Sequence, residues 1–532
     1  VGGAAITASA LTVVADGRPL LSAVSLAIRP GELVALIGPS GAGKTTLLRA
    51  LAGAQRVNGG SVTLGEGLRD RRNGGVAYVP SDDLLHDELS VAEELLYAAA
   101  LRGPADATTE ALQAVVQETL AEFQLTDLAQ RRVRLLSKGE RRRTSCAVEY
   151  VGRPDVLLLD EPGSGLDPGL ERRMMRLLRG LADRGCAVLA ATHAVASLRL
   201  CDRVAVMGRG GVLIGVGTVD EVLTGMRADS IEAVYERLEN LPDPVGELTV
   251  EALPRAADRT PATAPPPPFG RQLSISFERA ALCRLRDRRS LLILLAQAPL
   301  IGLIVSLVMP RHALTDPTLG PFYSVLMSFV LVVASLWLGT VAACREIVSE
   351  LGIVRRELAV GLRLDVYLVS RCLTLFPVVL AQTALLAGVA LAIQPPPEAG
   401  GWVLLTCMLT GLAAAALGLW LSAWARSADQ ALFSTPLILI PQMLLAGALI
   451  PVAAMPAPFR LLADLTVSRW SFDTLGSAIG LGQSLPSNLS AVTGLATATF
   501  ATRPLQAALP VVGIGLVGLI MAGLTLRRRV AG

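Results

Sequence analysis

The stretch Val34-Ala35-Leu36-Ile37-Gly38-Pro39-Ser40-Gly41-Ala42-Gly43-Lys44-Thr45-Thr46 decides the first half of the chain. Four apolar β-type residues lead straight into a glycine-rich loop, and Leu47-Leu48-Arg49-Ala50-Leu51-Ala52 continues with a helical pattern. Strand, glycine loop and helix are the context of a phosphate-binding P-loop. The small residues Gly38, Ser40, Gly41, Ala42 and Gly43 let backbone N–H groups close around phosphate oxygens, and the helix N-terminus adds its positive dipole end. Lys44 is placed to reach the β- and γ-phosphates, the Thr45 hydroxyl to ligate Mg2+, and Thr46 to close the nucleotide-binding loop. Further along, Val156-Leu157-Leu158-Leu159-Asp160-Glu161 reads as a buried parallel strand that delivers two carboxylates at its C-terminal end. That edge is where open α/β sheets bind ligands. Asp160 suits Mg2+ binding through water, and Glu161 suits polarisation of an attacking water as general base.

Composition separates this soluble-looking half from a second one. Of 532 residues, 52% are apolar and 17% charged, with a net charge of only +3. Of the 93 Lys, Arg, Asp and Glu side chains, 22 fall within Ser290–Gly532. The chain is therefore more than one domain, and a disordered chain, a secreted disulfide scaffold and a wholly soluble enzyme are excluded. Near-neutral charge gives no support to nucleic-acid binding. The seven cysteines form no CxxC pair or zinc spacing and read as reduced thiols. No apolar N-terminal stretch follows a positive charge, so a cleavable signal peptide is not expected and the first half is expected in the cytosol. Only two lysines, Lys44 and Lys138, stand among the 48 cationic residues, a usage that points to a GC-rich bacterial genome.

Apolar runs of about 20 residues, enough to cross the hydrocarbon as a helix, occur six times. They are Leu291–Met309, Phe322–Ala343, Tyr367–Ile393, Trp402–Ala423, Ala431–Val452 and Leu505–Leu526. With the N-terminus inside, thirteen arginines flank the inner ends and four the outer ends, so both termini are expected on the cytoplasmic side. The polar segment Cys344–Asp365 is then cytoplasmic, and residues 453–502 form the long outer loop. That loop holds Asn488-Leu489-Ser490, a chance match to a glycosylation sequon. The prolines between Leu241 and Phe269, including the run Pro265–Pro268, read as an extended spacer. The expected domains are 1–240, a linker 241–272, and a six-helix transmembrane domain 273–532.

Five motifs in order resemble the nucleotide-binding domain of ABC transporters across residues 1–240. After the P-loop come Leu136-Ser137-Lys138-Gly139-Glu140 at the signature position, the Asp160-Glu161 strand, Ser164-Gly165-Leu166-Asp167 at the D-loop, and His193 in Ala191-Thr192-His193 at the switch histidine. A nucleotide domain followed by six spans resembles the G-subfamily half-transporters and their bacterial relatives with an ABC-2-type membrane domain. Cys344-Arg345-Glu346-Ile347-Val348 resembles that group's connecting helix, and Ser468-Arg469-Trp470 a segment before its last span. The resemblance implies an α/β P-loop domain with a parallel core sheet and a helical subdomain, followed by an all-α membrane domain. It further implies head-to-tail dimers, in which Ser137, Lys138, Gly139 and Glu140 of one chain complete the ATP site of the other. A homodimer is the default and a heterodimer the alternative.

Three positions depart from the pattern. Ser81, in Tyr78-Val79-Pro80-Ser81-Asp82-Asp83, stands where a metal-contacting glutamine is expected, and its hydroxyl is short enough to act only through water. Lys138 replaces the first signature glycine, and its ammonium either adds attraction to the γ-phosphate or points into solvent. Ala10–Pro19 holds no aromatic residue to stack on adenine. Glu161 and His193 are nonetheless in place. The expected activity is ATP- and Mg2+-dependent export of a hydrophobic or amphipathic substrate, a lipid or drug-like molecule, across a bacterial cytoplasmic membrane. The alternative is a partner subunit that binds ATP and hydrolyses it poorly. Polar groups inside spans are costly and often line a pathway, so Gln382 and Gln442, with the kink at Pro436, are candidate pathway residues beside Gln297. A helical insert is expected around Val91–Glu149.

Overall fold

The computed structural model describes residues 3–15, 17–65, 75–104, 106–240, 267–310, 314, 319–395, 399–481, 500 and 502–531. The proline-rich linker up to residue 266 and the Asn488 sequon lie outside them. The chain divides into two units, Val1–Ile275 with Arg356–Leu362, and Ser276–Arg355 with Arg363–Gly532.

In the first unit, β1 (Ile6–Ala15), β2 (Arg18–Ile28), β3 (Leu33–Ile37), β4 (Gly59–Leu64) and β5 (Val76–Val79) are followed by β6 (Val156–Asp160), β7 (Ala187–Ala191), β8 (Arg203–Gly208) and β9 (Val212–Gly217). The main sheet has the order β5-β6-β7-β3-β8-β9. It is parallel from β5 to β8, with β9 antiparallel at its edge. A separate antiparallel sheet, β2-β1-β4, was not legible as such in the sequence. Every residue of β3, β6 and β7 is buried, which is why these strands read as unbroken apolar runs. Alternate side chains feed two cores: Leu157 and Leu159 join one cluster, Val156 and Leu158 the other.

The helices α1 (Lys44–Leu51), α2 (Val91–Arg102), α3 (Thr109–Glu122), α4 (Lys138–Tyr150), α5 (Pro168–Asp183), α6 (Val219–Gly225) and α7 (Ile231–Asn240) complete this unit. The expected helical insert is α2 to α4. Ser90 and Glu93 form a capping box that fixes the start of α2.

The second unit is helical. It contains α9 (Arg288–Val308), α10 (Gly320–Ala343), α12 (Leu364–Ile393), α13 (Gly400–Trp424), α14 (Ala428–Leu444), α15 (Ala457–Asp464), α16 (Val467–Ala478) and α17 (Pro504–Ala531). Two helices straddle the division between units, α8 (Phe269–Arg286) and α11 (Leu351–Ala359). Among the described residues five helices are long and apolar enough to span a membrane: α9, α12, α13, α17 and the one that begins with α10. The fifth run expected from the sequence, Ala431–Val452, instead yields the 17-residue α14, which ends at Leu444. At 17 residues α14 lies at the short end of what crosses a bilayer, and Gly447, at φ 89°, turns the chain just beyond it.

Close backbone approach holds the spans together. A Cβ on Gly339 of α10 would stand 2.2 Å from the Gly411 carbonyl of α13, and one on Gly418 would stand 2.7 Å from the Thr340 carbonyl. On the other side of α13, a Cβ on Gly515 of α17 would lie 3.2 Å from Ala413 Cα. Small residues permit such contact where no hydrophobic force drives helices together in lipid. Leu300, Leu307, Val308, Leu516, Val517 and Ile520 remain exposed, as lipid-facing side chains must.

Candidate functional site

Four neighbouring parallel strands deliver their C-terminal ends to one edge of the main sheet. β3 leads into the P-loop, β5 into Pro80-Ser81, β6 ends on Asp160, and β7 leads into Thr192-His193. The motifs read separately along the sequence are thereby brought together at the ligand-binding edge of an open α/β sheet.

The P-loop backbone needs its glycines at two points. A Cβ on Gly43, which sits at φ 86°, would stand 2.5 Å from the Leu20 carbonyl. One on Gly38 would stand 2.4 Å from the Met207 carbonyl. Lys44, 7% exposed, donates to the carbonyls of Gly38 (2.7 Å) and Pro39 (3.0 Å). Burial pulls its ammonium below the ordinary lysine range, while the Glu161 and Asp160 carboxylates oppose that shift.

Thr45 Oγ1 donates to Asp160 Oδ1 at 3.1 Å, and the Tyr78 hydroxyl to Asp160 Oδ2 at 3.3 Å. Hydroxyl and carboxylate are thus paired where the sequence expects Mg2+. The set fits that ion, which takes one or two protein oxygens and draws its remaining ligands from phosphate and water. Among the described residues no group of three His, Cys, Asp or Glu offers a protein cage for a metal. The Ser81 side chain is exposed and makes no hydrogen bond there.

Glu161 stands at φ 49°, a left-handed conformation uncommon outside glycine. Its N–H donates to the Ala191 carbonyl (3.0 Å), and its carboxylate lies 3.6 Å from His193 Nε2, both side chains being open to solvent. Tyr235 of α7 lies against the other side of His193, ring centroids 6.0 Å apart. The Ser164 N–H donates to the Glu161 carbonyl (3.1 Å), so the D-loop starts from the base itself. Gly165 turns at φ 67°, Leu166 follows, and Asp167 caps α5 by accepting from Gly169 and Leu170.

At the signature, Ser137 and Glu140 form a capping box on α4, with the Ser137 N–H donating to the Glu140 carboxylate at 2.8 Å. That bond holds the Glu140 carboxyl below the usual range. Glutamate here is therefore also a helix-start residue. Gly139 is buried against Leu170 and Leu166. Lys138 is exposed, and its chain lies over the D-loop: a Cβ on Gly165 would stand 1.9 Å from Lys138 Nζ.

Tyr78, Tyr235 and Arg142 escaped the sequence reading. Arg142 is 3% exposed and bonds the backbone of both the Ser81 and the Glu161 loops. The thiols of Cys146, Cys186 and Cys201 are pushed up to about 12 by burial, so none is a nucleophile. Of the candidate pathway residues, Gln382 is fully buried and donates to the Leu294 carbonyl (2.6 Å). Gln442 accepts from the Ser468 N–H (3.1 Å), and Pro436 lies within α14. Both glutamines join neighbouring helical segments.

Residues 21–164 match the family described as ABC transporter, and residues 271–479 match ABC-2 type transporter. A lipopolysaccharide export system ATP-binding protein of Haemophilus influenzae is 31% identical over 237 residues, 43% of this chain and 96% of that protein. The chain belongs to the ABC transporters. An ABC transporter ATP-binding/permease protein of Mycobacterium tuberculosis is 32% identical over 527 residues, 92% of this chain and 59% of that protein. ABC transporter G family member 22 of Arabidopsis thaliana is 38% identical over 206 residues, 37% of this chain and 27% of that protein. The chain thus spans well under two thirds of the length of these last two relatives. The ABC ATPase domain and the apolar helices of an ABC-2 membrane domain are both present in this ABC transporter.

Proposed function

We propose that this ABC transporter works as a dimer that hydrolyses ATP and exports a hydrophobic or amphipathic molecule across a bacterial cytoplasmic membrane, both termini facing the cytoplasm. The observation that carries the reading is the convergence of Lys44, Thr45, Asp160 and Glu161 on one sheet edge. The P-loop N–H groups and Lys44 bind the phosphates. Mg2+, held by Thr45 and through Asp160, would neutralise charge that builds on the γ-phosphoryl oxygens. Glu161 orients and deprotonates the attacking water, and His193, 3.6 Å away, steadies that carboxylate. Ser137, Lys138, Gly139 and Glu140 of a second copy close the site, with Asp167 holding the D-loop to α5. Support for an apolar cargo comes from the Gln382 amide N–H and the Gln442 carbonyl oxygen, both taken up in helix packing.

A second reading, a subunit that binds ATP without turning it over, draws on the unbonded Ser81 hydroxyl and on Lys138. Steady-state ATPase of the purified chain in lipid nanodiscs, beside Glu161→Gln, separates the two. Turnover lost in that variant with ATP binding retained is the expected outcome. Binding without turnover in the parent chain overturns the self-sufficient exporter and directs attention to a partner chain.

A further inference from the structure

Arg142 lies on α4, in its second turn, with its guanidinium between two loops that the sequence keeps far apart. Nη1 donates to the carbonyls of Pro80 (2.7 Å) and Ser81 (3.1 Å) and reaches the Asp83 carboxylate (3.2 Å). Nη2 donates to the carbonyls of Asp160 (2.6 Å) and Glu161 (3.2 Å), and Nε to that of Pro162 (3.4 Å). A buried guanidinium is costly unless its donors are taken up, and here all three nitrogens are engaged, with Asp83 supplying the counter-charge. The arrangement suits arginine alone: a planar fork of five N–H donors spans two loops, while a lysine ammonium is a point that serves one.

Two features mark this contact as more than packing. Glu161 holds its left-handed φ of 49°, and such backbone persists only where its surroundings over-determine it. The Ser81 hydroxyl, at the position expected to link metal and loop, bonds nothing among the described residues, so the Ser81 loop meets the Glu161 turn through Arg142. We infer that Arg142 is the positioning residue of the hydrolytic site: it fixes the strained turn that presents Glu161 and ties it to the Ser81 loop and to the signature helix. A displacement of α4 then moves the carboxylate directly, without a glutamine at position 81. The inference rests on the reading of Glu161 as general base.

The test uses the full chain in lipid nanodiscs with Arg142→Met, Arg142→Lys, Glu161→Gln and the Arg142→Met/Glu161→Gln pair. Measured are kcat, KM, the single-turnover rate, binding of a fluorescent ATP analogue, and the melting temperature. Arg142→Met is expected to lower kcat by about tenfold or more, with KM and nucleotide binding within about twofold, the pattern of a group that acts only in the chemical step. Arg142→Lys should fall between parent and methionine variant. The pair, like Glu161→Gln alone, should show no turnover and should bind the ATP analogue within about twofold of it, because both changes disable one unit.

A kcat within about twofold of the parent, or a loss of nucleotide binding in the Glu161→Gln background, overturns the inference. So does a loss of turnover that tracks nucleotide binding and melting temperature. Should the methionine variant not fold, Arg142→Lys decides: reduced kcat with intact binding supports the assignment, and unchanged kcat removes it. Turnover that survives Glu161→Gln sinks the general-base reading itself. An inactive Glu161→Gln beside a fully active Arg142→Lys and Arg142→Met removes only the role of Arg142.

Discussion

Lys138 carries a positive charge into the first turn of α4, where the helix dipole is already positive, and no carboxylate among the described residues pairs with it. An uncompensated cation beside free helix N–H groups favours an anion at that spot, and in the proposed dimer that anion is the γ-phosphate of an ATP held by the second copy. Lys138→Gly is therefore expected to raise KM for ATP by about two- to fivefold, the range of an exposed charge pair, with little change in kcat. The parent KM should rise with salt more steeply than that of the variant. A KM that falls instead would mean that lysine hinders the close approach a glycine allows. The same side chain lies over the D-loop, where a Cβ on Gly165 would meet only the exposed, movable end of Lys138. Gly165→Ala should cost about the same turnover in the parent and in the Lys138→Gly background, because the lysine end moves aside and the strain of φ 67° is common to both.

Between elements, the membrane half depends on glycine-mediated contact, and position decides what a methyl group does there. Gly339→Ala puts Cβ 2.2 Å from the Gly411 carbonyl, so α10 and α13 must part, at a cost of about 1–3 kcal/mol. Gly388 in α12 has nothing within 4 Å of its Cβ, and Gly388→Ala should be neutral or slightly stabilising. Melting of the two variants in lipid-detergent micelles checks this, and equal shifts would sink the close-packing account. Element scale is also where the sequence was most and least informative. The P-loop and the Asp160-Glu161 strand were legible because each is one continuous strand-to-loop run. Arg142 was not, since its partners lie 18 to 62 residues away and, apart from the Asp83 carboxylate, are backbone carbonyls, which leave no trace in residue type. The apolar run Ala431–Val452 overstated where its helix stops, since α14 ends at Leu444, shortly before Gly447 at φ 89°. For Gln382 and Gln442 the sequence shows that a polar group lies in a span, but not that Gln382 donates to the Leu294 carbonyl or that Gln442 accepts from the Ser468 N–H.

For the molecule as a whole, one chain supplies one P-loop and one signature, and the resemblance pairs each with its opposite number on another copy. If both composite sites must fire for a cycle, an inactive chain disables every dimer it enters. Glu161→Gln chains mixed with an equal amount of parent chain before assembly should then leave about a quarter of the activity, since only parent–parent pairs work. Independent sites would leave about half, because each parent chain keeps its own base whatever its partner. The proposed dimer also predicts a particle of about twice the 55.6 kDa of one chain. Lys138→Gly chains sharpen the argument, because Lys138 is proposed to serve the opposite chain's ATP. In a dimer of one Lys138→Gly chain with one Glu161→Gln chain, the intact base faces the intact lysine. In a dimer with both changes on one chain, the intact base faces the altered signature. If the mixing experiment shows independent sites, the first arrangement should keep the parent KM and the second should show the raised one, and identical values would refute service across the dimer.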